Sequence, residues 1–204
     1  LEWSRRKATQ AAQKLPDDWE EQCVRSCMRK SYVIREHDIV PELFINSDQT
    51  QVVYAPGDKM TYDKKGEKQV RVIGLEEKRA FTVVVSVASD GSVLPFQAIY
   101  KGSSKNSLPS PEAPNYNDLI GTGTRLVSSR SGTYWSNQGT MRELVEDIIE
   151  PYISRIKAKL KLPEWAKCLW TIDVFSVHRS EEFRGYMKTN HPNIVLDFVP
   201  GGCT

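Results

Sequence analysis

Two aspartates stand beside short apolar runs, where an ionised side chain is costly. Asp48 follows the apolar run 43–45, and Asp173 closes the apolar run 168–172. A divalent cation held by two carboxylates from adjacent strands would compensate for that cost, so we expect each aspartate at the end of a strand. Each could instead cap a neighbouring turn through its side chain. The spacing alone does not decide between these two interpretations.

A histidine and several basic residues complete the set of side chains that could take part in chemistry. His178 follows Asp173 by five positions. Its imidazole could approach a metal or a phosphate, or it could hydrogen-bond a loop carbonyl. Basic side chains on predicted loops near a sheet edge are candidates for phosphate contacts, although such residues also occur on any solvated surface. These candidates are Lys78, Arg79, Lys101, Lys105 and Arg179.

β-rich runs predict the strands that must position these residues. Residues 80–87 form a continuous β-branched run, typical of a strand buried on both faces. Asp90-Gly91 then predicts a tight turn into a second strand over 93–100, and hence a hairpin. Shorter strands are predicted over 168–172 and 193–199.

Helical spacing predicts the elements that pack against those strands. We expect helical character through the first forty residues, with a short segment at 7–14 and a helix over about 17–34. Apolar residues at helical spacing predict a long helix over 141–160, bent near Pro151. A further helix is predicted over 180–188. Residues 101–133, rich in Ser, Gly, Pro, Asn and Thr, are predicted to be a long loop or insertion.

This order of elements favours an α/β fold with a mixed sheet flanked by helices. We divide the chain into a helical lead-in, residues 1–40, and a core, residues 41–204. The 204 residues carry 28 Lys and Arg against 26 Asp and Glu. This nearly balanced charge neither requires nor excludes nucleic acid. The chain contains no run of eighteen apolar residues, so we predict no membrane span. Its four cysteines include no CxxC pair, which favours reduced thiols.

Several ordered blocks resemble one protein family over residues 17–204. The blocks are residues 46–50, 66–68, 79–102, 173–178 and 199–204. They resemble the DDE superfamily endonuclease domain, in the pogo/Tigger branch of the mariner-like transposases. In sequence they are most similar to versions found in fungal genomes. Val174 departs from the pattern, since a small polar residue such as Asn usually follows the second acid of that family.

The resemblance implies a ribonuclease H-like fold with three acidic residues and two Mg²⁺ (or Mn²⁺) ions. It also implies cleavage of DNA phosphodiesters followed by strand transfer. The first acid corresponds to Asp48 and the second to Asp173, and both would bind metal. The third normally follows the turn that ends here at Thr204, so we expect it beyond this residue and expect the chain alone to be inactive. Asp197 precedes the turn and is not assigned as a substitute.

Two other interpretations remain open at this stage. The first is a domesticated relative, of the centromere protein B kind, which binds DNA through another domain and keeps this fold as a scaffold. The second is a non-catalytic α/β interaction domain. Retention of both Asp48 and Asp173 favours the transposase. The resemblance also implies DNA as the partner, a nuclear location, a homodimer of the full-length protein and no association with a membrane.

Overall fold

A six-stranded mixed sheet forms the centre of the fold. The structure is a computed structural model that describes residues 3–7, 15–54, 60–66 and 80–203. Its strands are β2 Phe44–Val53, β4 Ala80–Ala88, β5 Gln97–Tyr100, β6 Arg125–Ser128, β7 Cys168–Ile172 and β8 Ile194–Phe198. They lie in the order β6-β5-β4-β2-β7-β8. A separate antiparallel pair joins β1, Trp3–Lys7, to β3, Met60–Lys64.

Strand β2 is the point at which the direction of chain pairing changes. It pairs antiparallel with β4 along its length and parallel with β7 through its first three residues. Strand β4 is antiparallel to both of its neighbours, whereas β5–β6 and β7–β8 pair in parallel. The carboxyl ends of β2, β5, β6, β7 and β8 therefore lie along one edge of the sheet, where ligands bind in open α/β folds.

The predicted hairpin is present, with a break in its second strand. Gly91 adopts a left-handed φ of 90°, and the Asp90 carboxylate accepts a hydrogen bond from the Ser92 backbone N–H at 2.9 Å. After an isolated bridge between Val87 and Val93, regular pairing resumes only at β5. Pro95 lies in this gap and has no N–H to donate to a ladder.

The long helix is also confirmed, and it changes its winding where the sequence predicts a bend. Helix α3, Gln138–Leu144, runs through a π-helical segment, Val145–Ile149, into α4, Glu150–Leu160. The Glu150 N–H bonds to the Val145 carbonyl, five residues back. Pro151 follows directly, and because it has no N–H the helix must change its hydrogen-bonding pattern in this turn.

Two sequence predictions need correction. Residues 101–133 are not a structureless loop, since they contain helix α2, Tyr116–Gly121, and the parallel edge strand β6. Four-residue β6 is too short to signal itself among turn-forming residues, and its register comes from β5. At the other end of the chain, Trp3–Lys7 is a strand and not part of a helix. Residues 8–14 lie outside the described residues.

The remaining helices agree with their predictions. Helix α1 spans Trp19–Glu36, and α6 spans Glu181–Asn190, with the Ser180 hydroxyl accepting from the Phe183 N–H at 3.1 Å. A short helix, α5, Ser176–Arg179, precedes α6. No helix in the described part of the chain is long and apolar enough to cross a membrane. The division into residues 1–40 and 41–204 stays a prediction.

Candidate metal centre

Asp48 lies in the middle of β2 and not at its end. It faces Val85 of β4 in the register and is exposed. The prediction of a strand end is wrong because β4 pairs with β2 as far as Val53, so the polar residues after Asp48 remain in the ladder. The Asp48 carboxylate accepts a hydrogen bond from the Gln49 backbone N–H at 2.7 Å.

Asp173 is the first residue after β7, as predicted. The last register pair between β2 and β7 is Asn46 with Thr171. Continuing the same register by two residues places Asp173 opposite Asp48. By this register Asp48 lies in the part of β2 that extends beyond β7, and Asp173 lies in the segment that leaves the carboxyl end of β7. Asp173 is half-buried, whereas Asp48 is open to solvent.

His178 holds the Asp173 carboxylate in place. Its Nδ1 lies 2.7 Å from Asp173 Oδ1 and 3.1 Å from the Asp173 main-chain oxygen. The hydrogen bond from His178 lowers the pKa of Asp173, against the opposing effect of burial. His178 is only 2% exposed, which leaves its ring no access to a DNA phosphate. We therefore interpret His178 as a residue that orients Asp173.

Gln49 links this pair back to β2. Gln49 Nε2 lies 3.3 Å from His178 Nε2, and Gln49 Oε1 accepts a hydrogen bond from the Ser136 hydroxyl at 2.6 Å. One tautomer satisfies all of these contacts: Nδ1–H donates to Asp173 and Nε2 accepts from the Gln49 amide. Strand β2 therefore carries Asp48 and, through Gln49, also supports His178, which orients Asp173.

Neither Gln49 nor Ser136 was identified from the sequence. Gln49 follows Asp48 directly, so strand alternation sends its side chain to the opposite face of the sheet. A polar side chain on the face opposite Asp48 is a weak sequence signal that Gln49 supports the site. Ser136 is 87 residues away from Gln49 along the chain, on the loop before α3, and no local pattern connects the two.

Two of the basic candidates lie near this edge. Lys101 is exposed and directly follows β5, whose carboxyl end shares the edge with β2. Arg179 is exposed and follows His178 at the end of α5. Lys78, Arg79 and the Lys105 side chain lie outside the described residues.

The donors at this edge suit a hard divalent cation. Mg²⁺ is commonly held by one or two carboxylates, with water and substrate phosphate oxygens completing its shell, so Asp48 and Asp173 fit it. In the described part of the chain, no three His, Cys, Asp or Glu side chains come together as a metal-binding group. Asp197, 4% exposed, is engaged elsewhere: it pairs with Arg29 at 2.7 Å and Lys30 at 3.4 Å.

Comparison with known proteins gives one curated relative and several solved structures. No family profile matches the chain. A human protein described as "Pogo transposable element with KRAB domain" is 23% identical over 193 residues, which cover 94% of this chain and 28% of the relative. The chain therefore spans less than a third of the length of that relative.

The fold is similar to that of Mos1 transposase. A pre-cleavage Mos1 transpososome matches 97% of this chain and 48% of its own, with a TM-score of 0.52 and 9% sequence identity. A Mos1 mariner paired-end complex with Mn covers 97% of this chain and 47% of its own, with a TM-score of 0.47 and 10% identity. The resemblance to pogo- and mariner-like DDE transposase domains is confirmed, and the fold is ribonuclease H-like. The fungal type stays a prediction.

Proposed function

We propose that this DDE transposase-like domain cleaves DNA phosphodiester bonds and transfers the cut strand, with Asp48 and Asp173 as its metal-binding carboxylates. One observation supports the proposal: when the β2–β7 register is extended by two residues, Asp173, the first residue after β7, falls opposite Asp48. A carboxylate that only caps a turn has no reason to lie opposite a second carboxylate on the neighbouring strand.

The two carboxylates are held differently, and both arrangements suit metal binding. Asp48 belongs to a central strand that is paired with β4 on one side, so its backbone position is fixed. Asp173 belongs to a loop, where the hydrogen bond from buried His178 supplies the missing constraint. Such supporting partners fix the orientation of ligands before metal or substrate arrives.

Mg²⁺ or Mn²⁺, two ions in the complete site, would stabilise charge on the attacking and leaving oxygens of an in-line displacement. Asp48 and Asp173 would hold the ions through their carboxylate oxygens. Lys101 and Arg179, together with Lys78 and Arg79, would contact backbone phosphates and orient the scissile strand. Such a reaction on chromosomal DNA implies a nuclear location, which we propose with it.

Manganese binding tests the proposal without requiring turnover. We would titrate the chain with Mn²⁺ and follow the free ion by electron paramagnetic resonance. Asp48→Asn and Asp173→Asn should each weaken binding by about tenfold or more. Asp118→Asn, at an exposed position on α2, is the matched control and should bind as the parent does. Equal binding by all four proteins would contradict the proposal and favour the scaffold alternative.

DNA nicking supplies a second test. A supercoiled plasmid with Mg²⁺ or Mn²⁺ would report phosphodiester cleavage by the chain and by its Asp48→Ala variant. With Asp48 and Asp173 as its only assigned acids, we expect little or no cleavage by the 204-residue chain. Nicking by the 204-residue chain itself, abolished by Asp48→Ala, would support the activity and overturn our expectation of an incomplete site.

A further inference from the structure

Helix α1 presents an apolar stripe to solvent. Val24, Met28 and Tyr32 follow one another at intervals of four residues and are 52%, 68% and 65% exposed. Cys27, also exposed, lies between the first two on the same side. Together with Ser31 they line a shallow open concavity along the helix. A contiguous exposed apolar surface of this kind is a common mark of a protein–protein contact.

The helix cannot bury this stripe by turning over. On its other side Ser26 is 3% exposed, and Val33 and Ile34 pack against the core. Arg29 Nε lies 2.7 Å from the buried Asp197 carboxylate. Rotation of α1 would leave this carboxylate without its strongest partner, which is expensive in a buried position. The stripe of Val24, Met28 and Tyr32 therefore stays exposed in the folded chain.

The charges at the ends of the stripe indicate what covers it. Glu20 is exposed at its amino-terminal end and Arg35 at its carboxyl-terminal end, both in line with Met28 by helical spacing. If the same helix from a second molecule runs antiparallel across the stripe, each Glu20 meets the other copy's Arg35. The same twofold brings the two Cys27–Met28 positions together at the centre. The stripe is thus complementary to itself.

We propose that the α1 stripe, defined as Glu20, Val24, Cys27, Met28, Tyr32 and Arg35, binds the same stripe of a second copy of this chain in an antiparallel helix pair. A single pair of helices buries less area than a standard interface. The dimer formed by the isolated chain is therefore weak and depends on concentration. This contact is independent of the metal site, since α1 carries neither aspartate.

Sedimentation equilibrium of the 204-residue chain, over a wide concentration range, measures the association. We expect a reversible monomer–dimer equilibrium. Met28→Glu should raise the dissociation constant by about tenfold or more, since it places two carboxylates near the twofold axis. Val93→Glu is the matched control, because Val93 is 59% exposed on the hairpin turn and should not affect the dimer. Circular dichroism melts would show that each variant is folded.

Charge exchange distinguishes this arrangement from any other partner or packing. Glu20→Arg alone and Arg35→Glu alone should each weaken the dimer, because each puts like charges face to face. The double variant, Glu20→Arg with Arg35→Glu, should recover most of the affinity. Only an antiparallel contact between identical stripes predicts that recovery. If the double variant is weaker than both single variants, the antiparallel pairing is wrong.

Crosslinking places the twofold axis. With Cys23 and Cys203 changed to Ser, a short bismaleimide should join two chains through Cys27, and Cys27→Ser should abolish the product. A chain that stays monomeric at the highest attainable concentration overturns the proposal. A dimer whose dissociation constant is unchanged by Met28→Glu also overturns the proposal, because the dimer contact would then lie outside the α1 stripe.

Discussion

The His178 imidazole donates from Nδ1 to Asp173 Oδ1 across 2.7 Å, and His178 as a whole is only 2% exposed. The carboxylate that leaves the sheet at the end of β7 is therefore tied to the buried interior. The opposite ring nitrogen faces Gln49, the residue after Asp48. The two aspartates of the candidate site share one supporting network, and this relationship gives the first two predictions.

Replacing His178 by Phe should weaken metal binding although the pocket stays filled. His178→Phe retains an aromatic ring beside Phe175 and Phe183 but removes the hydrogen bond that orients Asp173. We expect Mn²⁺ affinity to fall by about tenfold, the lower end for loss of a ligand's supporting partner. Mn²⁺ titration measures it. His178→Asn, which can still donate, should retain more affinity; equal losses in both variants would make the effect one of packing.

Removing the Gln49 amide should affect both the fold and the site. Gln49→Met keeps the length of the side chain but leaves His178 Nε2 and the Ser136 hydroxyl without this partner. We expect a loss of about 1–3 kcal/mol in unfolding free energy, measured in urea, and weaker Mn²⁺ binding. Gln51→Met is the control, since Gln51 lies on the same face of β2 and bonds to Tyr134 instead. Equal effects at both positions would argue against a link to the site.

Asp197 should prove important for stability and unimportant for metal. Its buried carboxylate pairs with Arg29 and Lys30 and so ties α1 to β8. Asp197→Asn leaves these cations facing a neutral amide. Because Arg29 is half-exposed, we expect about 2–3 kcal/mol of destabilisation, less than for a fully buried pair. Urea unfolding measures that cost. A large fall in Mn²⁺ affinity of the folded variant would instead identify Asp197 as a ligand.

Tyr186 should make stability depend on pH in the alkaline range. Burial, and the hydrogen bond that its hydroxyl donates to Glu146 at 2.7 Å, raise the pKa of Tyr186 to about 12. An unfolded tyrosine ionises near pH 10, so the folded state holds this proton more tightly. The contribution of Tyr186 is then complete below about pH 10 and is lost as the pH rises toward 12. The unfolding free energies of the parent and Tyr186→Phe should converge over that interval; a constant difference would contradict it.

Lys101 and Arg179 should contribute to DNA affinity without sequence preference. Each charge that contacts a phosphate adds to the salt dependence of binding, so Lys101→Ala or Arg179→Ala should reduce the slope of log K against log salt by about one. Fluorescence anisotropy with a labelled duplex measures the slope. Lys188→Ala is the control, because Lys188 is exposed in the last turn of α6, toward the other edge of the sheet. An unchanged slope would remove either residue from the interface.

Much of the fold follows from local pattern. The β-branched run at 80–87, the Asp90-Gly91 turn, the helix around Pro151 and the Ser180 cap are signals carried by neighbouring residues, and the structure contains each corresponding element. Local signals fail where an element depends on its partner. Strand β6 has four residues and takes its register from β5. Asp48 appeared to end a strand because only the pairing with β4 extends β2 through polar residues.

The sequence by itself identified Asp48 and Asp173 as the carboxylates of interest, through the apolar runs before them and the family blocks around them. Only the tertiary structure decided that β2 extends past β7 beside Asp173, that His178 is buried behind Asp173, and that Val24, Met28 and Tyr32 of α1 face solvent. Strand pairing and burial are long-range properties, set by which surfaces meet once the chain is folded. The buried Asp197 carboxylate shows this best: it selects the side of α1 that packs, and no periodicity within α1 reveals it.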